Sequence, residues 1–166
     1  RDVALRDDKS GPVSGVQLSV DINGIKKFTT DKNGRIKVPT DNLAPKTYTV
    51  KITFNGNGNY LKSDGEVKLK VKKATPKITA KKKTFKKSKK VKKYTVTLKN
   101  NKKPIAKVKL TLKIKSKKFV AKTNKKGKAT FKIKKLTKKG KYGATVTLKA
   151  NKYYNKVVKK VKIRVK

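Results

Sequence analysis

The sequence predicts an all-β chain built from two tandem copies of one β-sandwich domain. Three observations lead there. Segments along the 166 residues recur at a spacing of 92–94 positions. Within each copy apolar residues alternate with polar ones at a period of two, the signature of a half-buried strand. No stretch carries the helical stripe that would compete with that reading.

The copies align element by element. "GPVSGVQLSVDI" (11–22) matches "KPIAKVKLTLKI" (103–114), with Pro12 opposite Pro104. In these segments Val16, Leu18, Val20 and Ile22 alternate with polar residues, as do Val108, Leu110, Leu112 and Ile114. "TDKNGRIKV" (30–38) parallels "TNKKGKATF" (123–131). Each Asx-Lys-x-Gly is a turn, with Gly34 and Gly127 free to take a positive φ. "KTYTVKITF" (46–54) and "GKYGATVTL" (140–148) follow, with Tyr48 and Tyr142 in step. Both copies close on a further strand, "VKLKV" (67–71) and "VKIRV" (161–165). Short strands between turn signals predict a sandwich.

The domains are predicted at residues 1–73 and 74–166, joined through "ATP" (74–76). The opening "DVALRDD" matches "TVTLKNN" (95–101). The stretch before that match, roughly 75–93, has no counterpart in the first copy. The first domain is therefore expected to lack its N-terminal strand, as if cut from a longer tandem array. In "KKKTFKKSKKVKK" (81–93), Ile78 upstream, Phe85 and Val91 are expected to point inward. Phe28, Phe54, Phe119 and Phe131 are expected in the cores.

Charge divides the chain. Lys and Arg number 52 against 8 Asp and Glu, a formal net charge of +44. Residues 1–66 hold all 8 acids and 11 basic residues; residues 67–166 hold 41 basic residues and no acid. By charge and hydropathy alone the second half reads as disordered. The alternation contradicts this: in "KVKLTLKIK" Lys takes the outward positions, its stem lying along the sheet and its ammonium in water. Lys on an edge also discourages pairing between sheets. Only Arg1, Arg6, Arg35 and Arg164 are Arg, which argues for delocalised attraction rather than bidentate recognition. Codon bias in an A/T-rich genome is the alternative source of the lysines.

"YTVKITFNGNGNYLKS", "TNKKGKATFKIKKLTKKGKY" and "GKYGATVTLKANKYYNKVVKKVKIRVK" resemble the bacterial-type immunoglobulin-like repeats of archaeal adhesin-like surface proteins, especially those of methanogens. The resemblance covers nearly the whole chain. It implies an immunoglobulin-like sandwich, an extracellular setting at the cell surface or wall, and neighbouring repeats of the same protein as partners. It also implies a Lys-rich C-terminal repeat meeting an anionic wall polymer such as pseudomurein. Tyr48 and Tyr142 fall where such domains place a tyrosine corner. The Cys pair and Trp of antibody domains are absent from the sequence.

The expected function is a non-catalytic stalk module held to an anionic wall. Its candidate polyanion-binding residues are Lys81, Lys82, Lys83, Lys86, Lys87, Lys89, Lys90, Lys92, Lys93, Lys159, Lys160 and Lys162; Tyr48, Tyr142, Gly34 and Gly127 are structural candidates. The alternatives are a filament subunit assembled by strand donation and a sequence-independent nucleic-acid binder. Poverty of Arg and the lack of a recognised motif speak against specific nucleic-acid binding.

No catalytic residue, cofactor or metal ligand is expected. His and Cys are absent, and residues 67–166 lack any carboxylate side chain, removing the usual acid–base and metal-ligand groups. "TDKNGRI" resembles part of a Ca²⁺ loop, but a hairpin turn accounts for it. A Lys–Asn isopeptide crosslink needs an acid beside it, so none is expected in the second copy. Tyr153 and Tyr154 follow a loop, where one exposed ring is placed to stack on a sugar. No apolar run reaches the ~18–20 residues of a membrane span, and no signal peptide is seen in this sequence.

Overall fold

The computed structural model describes residues 1–40 and 43–166. The described residues form strands and turns, with no helix among them, and divide into two compact units, Arg1–Lys72 and Lys73–Lys166.

Unit 1 contains β1 (Asp2–Ala4), β2 (Gln17–Asp21), β3 (Ile25–Thr29), β4 (Arg35–Lys37), β5 (Thr47–Phe54) and β6 (Ser63–Lys70). β1 pairs with β4, and the other four form an antiparallel sheet in the order β3-β2-β5-β6. Leu18, Val20, Ile36, Tyr48, Val50, Phe54 and Leu69 fill the space between the sheets.

Unit 2 contains β7 (Lys77–Thr79), β8 (Lys83–Phe85), β9 (Val91–Asn100), β10 (Lys103–Pro104), β11 (Lys109–Ile114), β12 (Lys117–Lys122), β13 (Lys128–Lys134), β14 (Gly140–Leu148) and β15 (Val157–Val165). One sheet joins β10, β9 and β13, with β7 also on β9; the other runs β12-β11-β14-β15-β8. Only the β15–β8 pair is parallel. The alternation predicted for "VKLTLKI" places Leu110, Leu112 and Ile114 inward, all buried. Phe54, Phe85 and Phe131 are buried, while Phe28 and Phe119 are half-buried against the cores.

The repeat extends to the strand register. Val3 faces Ile36 in unit 1, and Val96 faces Ala129 in unit 2. Val20 faces Ile52, and Leu112 faces Val146. Tyr48 faces Leu69, and Tyr142 faces Ile163. Among the described residues, unit 1 has no counterpart of β7 and β8.

One expected anchor is corrected. Val91 is 38% exposed, while Lys92 is only 1% exposed. The phase of β9 is fixed by the large apolar residues downstream. Tyr94, Val96 and Leu98 all point inward, and a two-residue period then carries position 92 inward and position 91 out. The Lys92 stem lies in the core, and its Nζ donates to the Lys89 carbonyl at 2.6 Å.

Candidate functional site

The frame of each sandwich is held by one set of bonds made twice. The Asp31 carboxylate accepts the N–H groups of Asn33 (2.8 Å) and Arg35 (3.0 Å). The Asn124 amide oxygen accepts those of Lys126 (2.9 Å) and Lys128 (3.0 Å). Gly34 at φ 72° and Gly127 at φ 75° complete these turns. A Cβ on either would lie 2.5 Å from a backbone oxygen, that of Leu5 or Leu98. Beside the turns, the buried Thr30 and Thr123 hydroxyls accept the N–H groups of Val16 and Val108, at 3.1 and 3.0 Å.

The tyrosines match as closely. Tyr48 donates its hydroxyl to the Ala44 carbonyl at 2.6 Å, and Tyr142 donates to the Lys138 carbonyl at 2.5 Å. Both bonds reach back four residues, the geometry of a tyrosine corner. Lys46 Nζ and Lys115 Nζ lie 4.7 and 5.1 Å from the two ring centroids. Backbone N–H groups of Arg35 and Asn33, reinforced by the charges of Arg35 and Lys32, hold the Asp31 carboxyl below the usual carboxylate range against a small opposing effect of burial. That the neutral Asn124 makes the same two bonds identifies the turn, rather than a cation, as what this side chain serves. Among the described residues no three acidic or other metal-ligating side chains gather in one place.

The lysine candidates fall in two stretches of unit 2. β8 lies alongside residues 163–165 of β15, which brings Lys83 to the strand that carries Lys162. The Lys87 N–H donates to the Lys166 carbonyl, tying the next lysines to the chain end. Lys159 and Lys160 lie earlier on β15, opposite Val146 and Thr145 of β14. Tyr94 donates its hydroxyl to the Lys81 carbonyl at 2.6 Å, fixing the start of the stretch to β9; burial pushes its phenol up from the ordinary value. Eleven of the twelve candidate lysines are exposed. The twelfth, Lys92, is corrected: its ammonium is turned into the fold and is not part of the outer coating.

The paired strands also reveal lysines not selected from the sequence. Lys109 stands opposite Lys122, and Lys113 opposite Lys118, on the outer face of the five-stranded sheet. On the other sheet Lys93 faces Lys132, and Lys77 faces Lys99. Like charges directly across an antiparallel pair repel, and no side-chain carboxylate exists in this unit to relieve them.

A single row makes the contrast. In unit 1, Asp21 faces Lys51, which faces Glu66, an alternation of charge across three strands. The same row in unit 2 reads Lys113, Thr145, Lys160. Both acids of the row have become lysines while the strands and register stay the same.

At one end of unit 2, an open groove is bordered by Lys107, Lys109, Lys118, Lys149 and Tyr153. Tyr153 is 48% exposed, with Lys152 Nζ 5.8 Å from its ring centroid. Tyr154 is half-buried and bridged to Ala74, so Tyr153 is the more exposed of the two rings.

Two sandwiches of this strand order, each with its tyrosine corner, define an all-β chain of tandem immunoglobulin-like domains. No protein-family model matches the sequence, and no curated protein matches it significantly. Among solved structures, the chain is similar to the D0–D1 domain of intimin at 18% identity, TM-score 0.39, covering 98% of this chain and 88% of that one. It is similar to a Ca²⁺-stabilized adhesin that helps an Antarctic bacterium reach out and bind ice, at 14% identity, TM-score 0.38, covering 93% of this chain and 41% of that one. A 1.5-MDa bacterial ice-binding adhesin is similar at 12% identity and TM-score 0.37, covering 100% of this chain and 64% of the other. This chain thus spans less than two thirds of the length of either ice-binding adhesin structure. No described helix is long and apolar enough to cross a membrane.

Proposed function

We propose that this chain is a non-catalytic stalk module of an extracellular adhesin-like surface protein. Residues 1–73 and 74–166 act as successive immunoglobulin-like repeats, and the second holds the chain to an anionic cell-wall polymer. The carboxylate-bearing pseudomurein of methanogen walls is the polymer implied by the sequence resemblance. The observation that carries the reading is the row in which Asp21, Lys51 and Glu66 are replaced by Lys113, Thr145 and Lys160 on unchanged strands. In unit 1 the lysine of the row has a carboxylate on either side. In unit 2 the two lysines of the row have none, and opposed lysine pairs stand on both sheets, which favours a partner that supplies the negative charge.

Lysines on both sheets support a coating over a single pocket. Such a coating binds through many weak, salt-sensitive contacts, and Lys suits them better than Arg because it acts as a hydrated point charge. The exposed candidates Lys81, Lys82, Lys83, Lys86, Lys87, Lys89, Lys90, Lys93, Lys159, Lys160 and Lys162 belong to it, joined by Lys109, Lys113, Lys118 and Lys122.

Co-sedimentation of the full chain with purified pseudomurein sacculi, and with DNA, across a salt series tests the proposal. Retention on sacculi at physiological salt is expected, weakening as salt rises. A chain that ignores sacculi at physiological salt yet holds DNA removes the wall reading and leaves the nucleic-acid one.

A further inference from the structure

The groove at one end of unit 2 has a volume of about 680 Å³ and lies on the outer face of the five-stranded sheet. Four exposed lysines border it: Lys107 before β11, Lys109 on β11, Lys118 on β12 and Lys149 after β14. Val120 of β12, 55% exposed, and Ala150 supply apolar surface between them. Tyr153 borders it from the loop between β14 and β15. The Asn151 amide oxygen fixes that loop by accepting the N–H groups of Tyr153 (2.9 Å) and Tyr154 (2.8 Å). Tyr154 packs against the core, its ring centroid 6.3 Å from that of Tyr153.

Unit 1 makes the same frame without the same chemistry. There Asn57 accepts the N–H groups of Asn59 (2.8 Å) and Tyr60 (2.9 Å). Gly15 holds the left-handed backbone position of Lys107, at φ 70° against 59°. Strand register and loop spacing align Gln17 with Lys109, Ile25 with Lys118, Asn55 with Lys149 and Asn59 with Tyr153. Four uncharged positions of unit 1 are thus lysine in unit 2, and an asparagine is tyrosine. Lys27 stands where Val120 does, so the first copy keeps a single charge in this set. Lysine is abundant throughout unit 2, and the lysines alone mark no site. The tyrosine is not accounted for by that abundance, and its exposed ring lies outside the core.

We propose that this groove binds an acidic saccharide, one or two pyranose units bearing carboxylate groups. The C–H face of a sugar stacks on the Tyr153 ring, which offers a rigid apolar body. The carboxylates take charge-assisted hydrogen bonds from Lys107, Lys109, Lys118 and Lys149. Thr111, also on the groove, offers a hydroxyl to the sugar hydroxyls. The volume lies in the range of small-ligand sites. Unit 2 has no carboxylate side chain to repel or compete with such a ligand. A nucleic-acid strand fits less well, because it stacks successive bases on successive rings, and one exposed ring borders this groove. Such a site is distinct from the diffuse lysine coating, which spreads over both sheets and needs no aromatic ring.

The test titrates trigalacturonate into the isotopically labelled full chain at physiological salt. Saturable amide shifts are expected at residues 107–109, 118–120 and 149–153. Tyr153→Ala should weaken binding at least about fivefold, and Tyr153→Phe should retain it. Lys149→Gln should weaken it and reduce its salt dependence, whereas Lys93→Gln on the other sheet should not. Tricarballylate carries the same charge without a sugar ring. If it binds as tightly as trigalacturonate, the proposal is overturned, because attraction is then charge alone. Shifts spread evenly over both sheets, an affinity unmoved by Tyr153→Ala, or tighter binding of a short oligothymidylate of equal charge each overturn it too. Retention on sacculi without groove shifts sinks the saccharide site and leaves the coating. Groove shifts without retention on sacculi support the site and remove the wall reading.

Discussion

Gly127→Ala tests whether the repeated turn holds each sandwich together. At φ 75° a residue bearing a Cβ costs about 1–2 kcal/mol. The new Cβ would also stand 2.5 Å from the Leu98 carbonyl oxygen, a backbone atom on β9 that has no rotamer to escape into. Moving it disturbs two hydrogen bonds, Leu98 N–H to the Gly127 carbonyl at 2.7 Å and Ile105 N–H to the Leu98 carbonyl at 3.1 Å. Each contributes about 0.5–1.5 kcal/mol. The substitution should therefore destabilise unit 2 by about 2–4 kcal/mol, a fall in melting temperature of roughly 10–25 °C for a domain of this size. Gly34→Ala should do the same to unit 1, where the added Cβ meets the Leu5 oxygen at the same distance. Gly143→Ala is the control: Gly143 has no positive φ and open space around its Cβ position. It should change stability by no more than about 1 kcal/mol, in the stabilising direction. Differential scanning calorimetry of the full chain reads all three. A Gly127→Ala shift below about 3 °C would refute the packing argument. If Gly34→Ala and Gly127→Ala move one common transition, the two units are not separate folding units.

Lys92→Met keeps the buried stem and removes a buried charge, so stability in urea titration should stay within about 1 kcal/mol of the parent or rise. Sacculus binding should be unchanged by it, whereas Lys93→Met should reduce the salt dependence of that binding. Asp31→Asn should leave unit 1 as stable as before near neutral pH, because Asn124 makes the same bonds. The folded-state pKa of Asp31 is lowered, so its contribution is present above the unfolded value of about 3.9 and is lost as pH falls through the folded one. The parent should therefore lose stability over that acid range relative to the Asn variant, which acid-titrated thermal melts will show. Grafting the row of unit 1 onto unit 2, as Lys113→Asp, Thr145→Lys and Lys160→Glu, creates opposite-charge pairs across β11–β14 and β14–β15 where a lysine now faces a threonine. At about 0.2–1 kcal/mol per pair this should raise the unit 2 melting temperature at low salt, fade at high salt, and weaken polyanion binding.

Features set by local chemistry were legible in the sequence. An Asx three residues before a glycine at positive φ and a tyrosine four residues after its acceptor each constrain a few neighbouring positions, so their spacing survives between copies and marks the repeat. Strict alternation gave the faces of β2, β11 and β15 for the same reason. The error at Val91 and Lys92 has a physical origin. In "KKVKK" the lone aliphatic residue looks like the anchor, but phase belongs to the whole strand, and Tyr94, Val96 and Leu98 together outweigh one valine. A lysine stem supplies enough apolar length to accept the inward position. The opposed lysine pairs were hidden for another reason. Lys113 and Lys118 meet only once the β11–β12 register is known, and the Asp21–Lys51–Glu66 row joins strands far apart in sequence.

The bonds that define the frame do not depend on charge, and this explains how one fold carries two such different surfaces. Thr30 and Thr123 offer hydroxyls, Tyr48 and Tyr142 offer phenols, and the glycines offer only backbone. At the one frame position where a charge appears, Asp31, its counterpart Asn124 makes the same hydrogen bonds without it. Outward positions are therefore free to change sign while the frame stays fixed. The limit on that freedom is mutual repulsion, which grows with each lysine added. Unit 2 meets this limit with a closed core: Val96, Leu98, Ile114, Val146, Val161 and Val165 are all buried. The strand segment that closes this core, β7 and β8, is itself among the most lysine-rich parts of the chain. Removing Ile78 and Phe85 from unit 2 should expose the cost of the coating more sharply at low salt than at high salt.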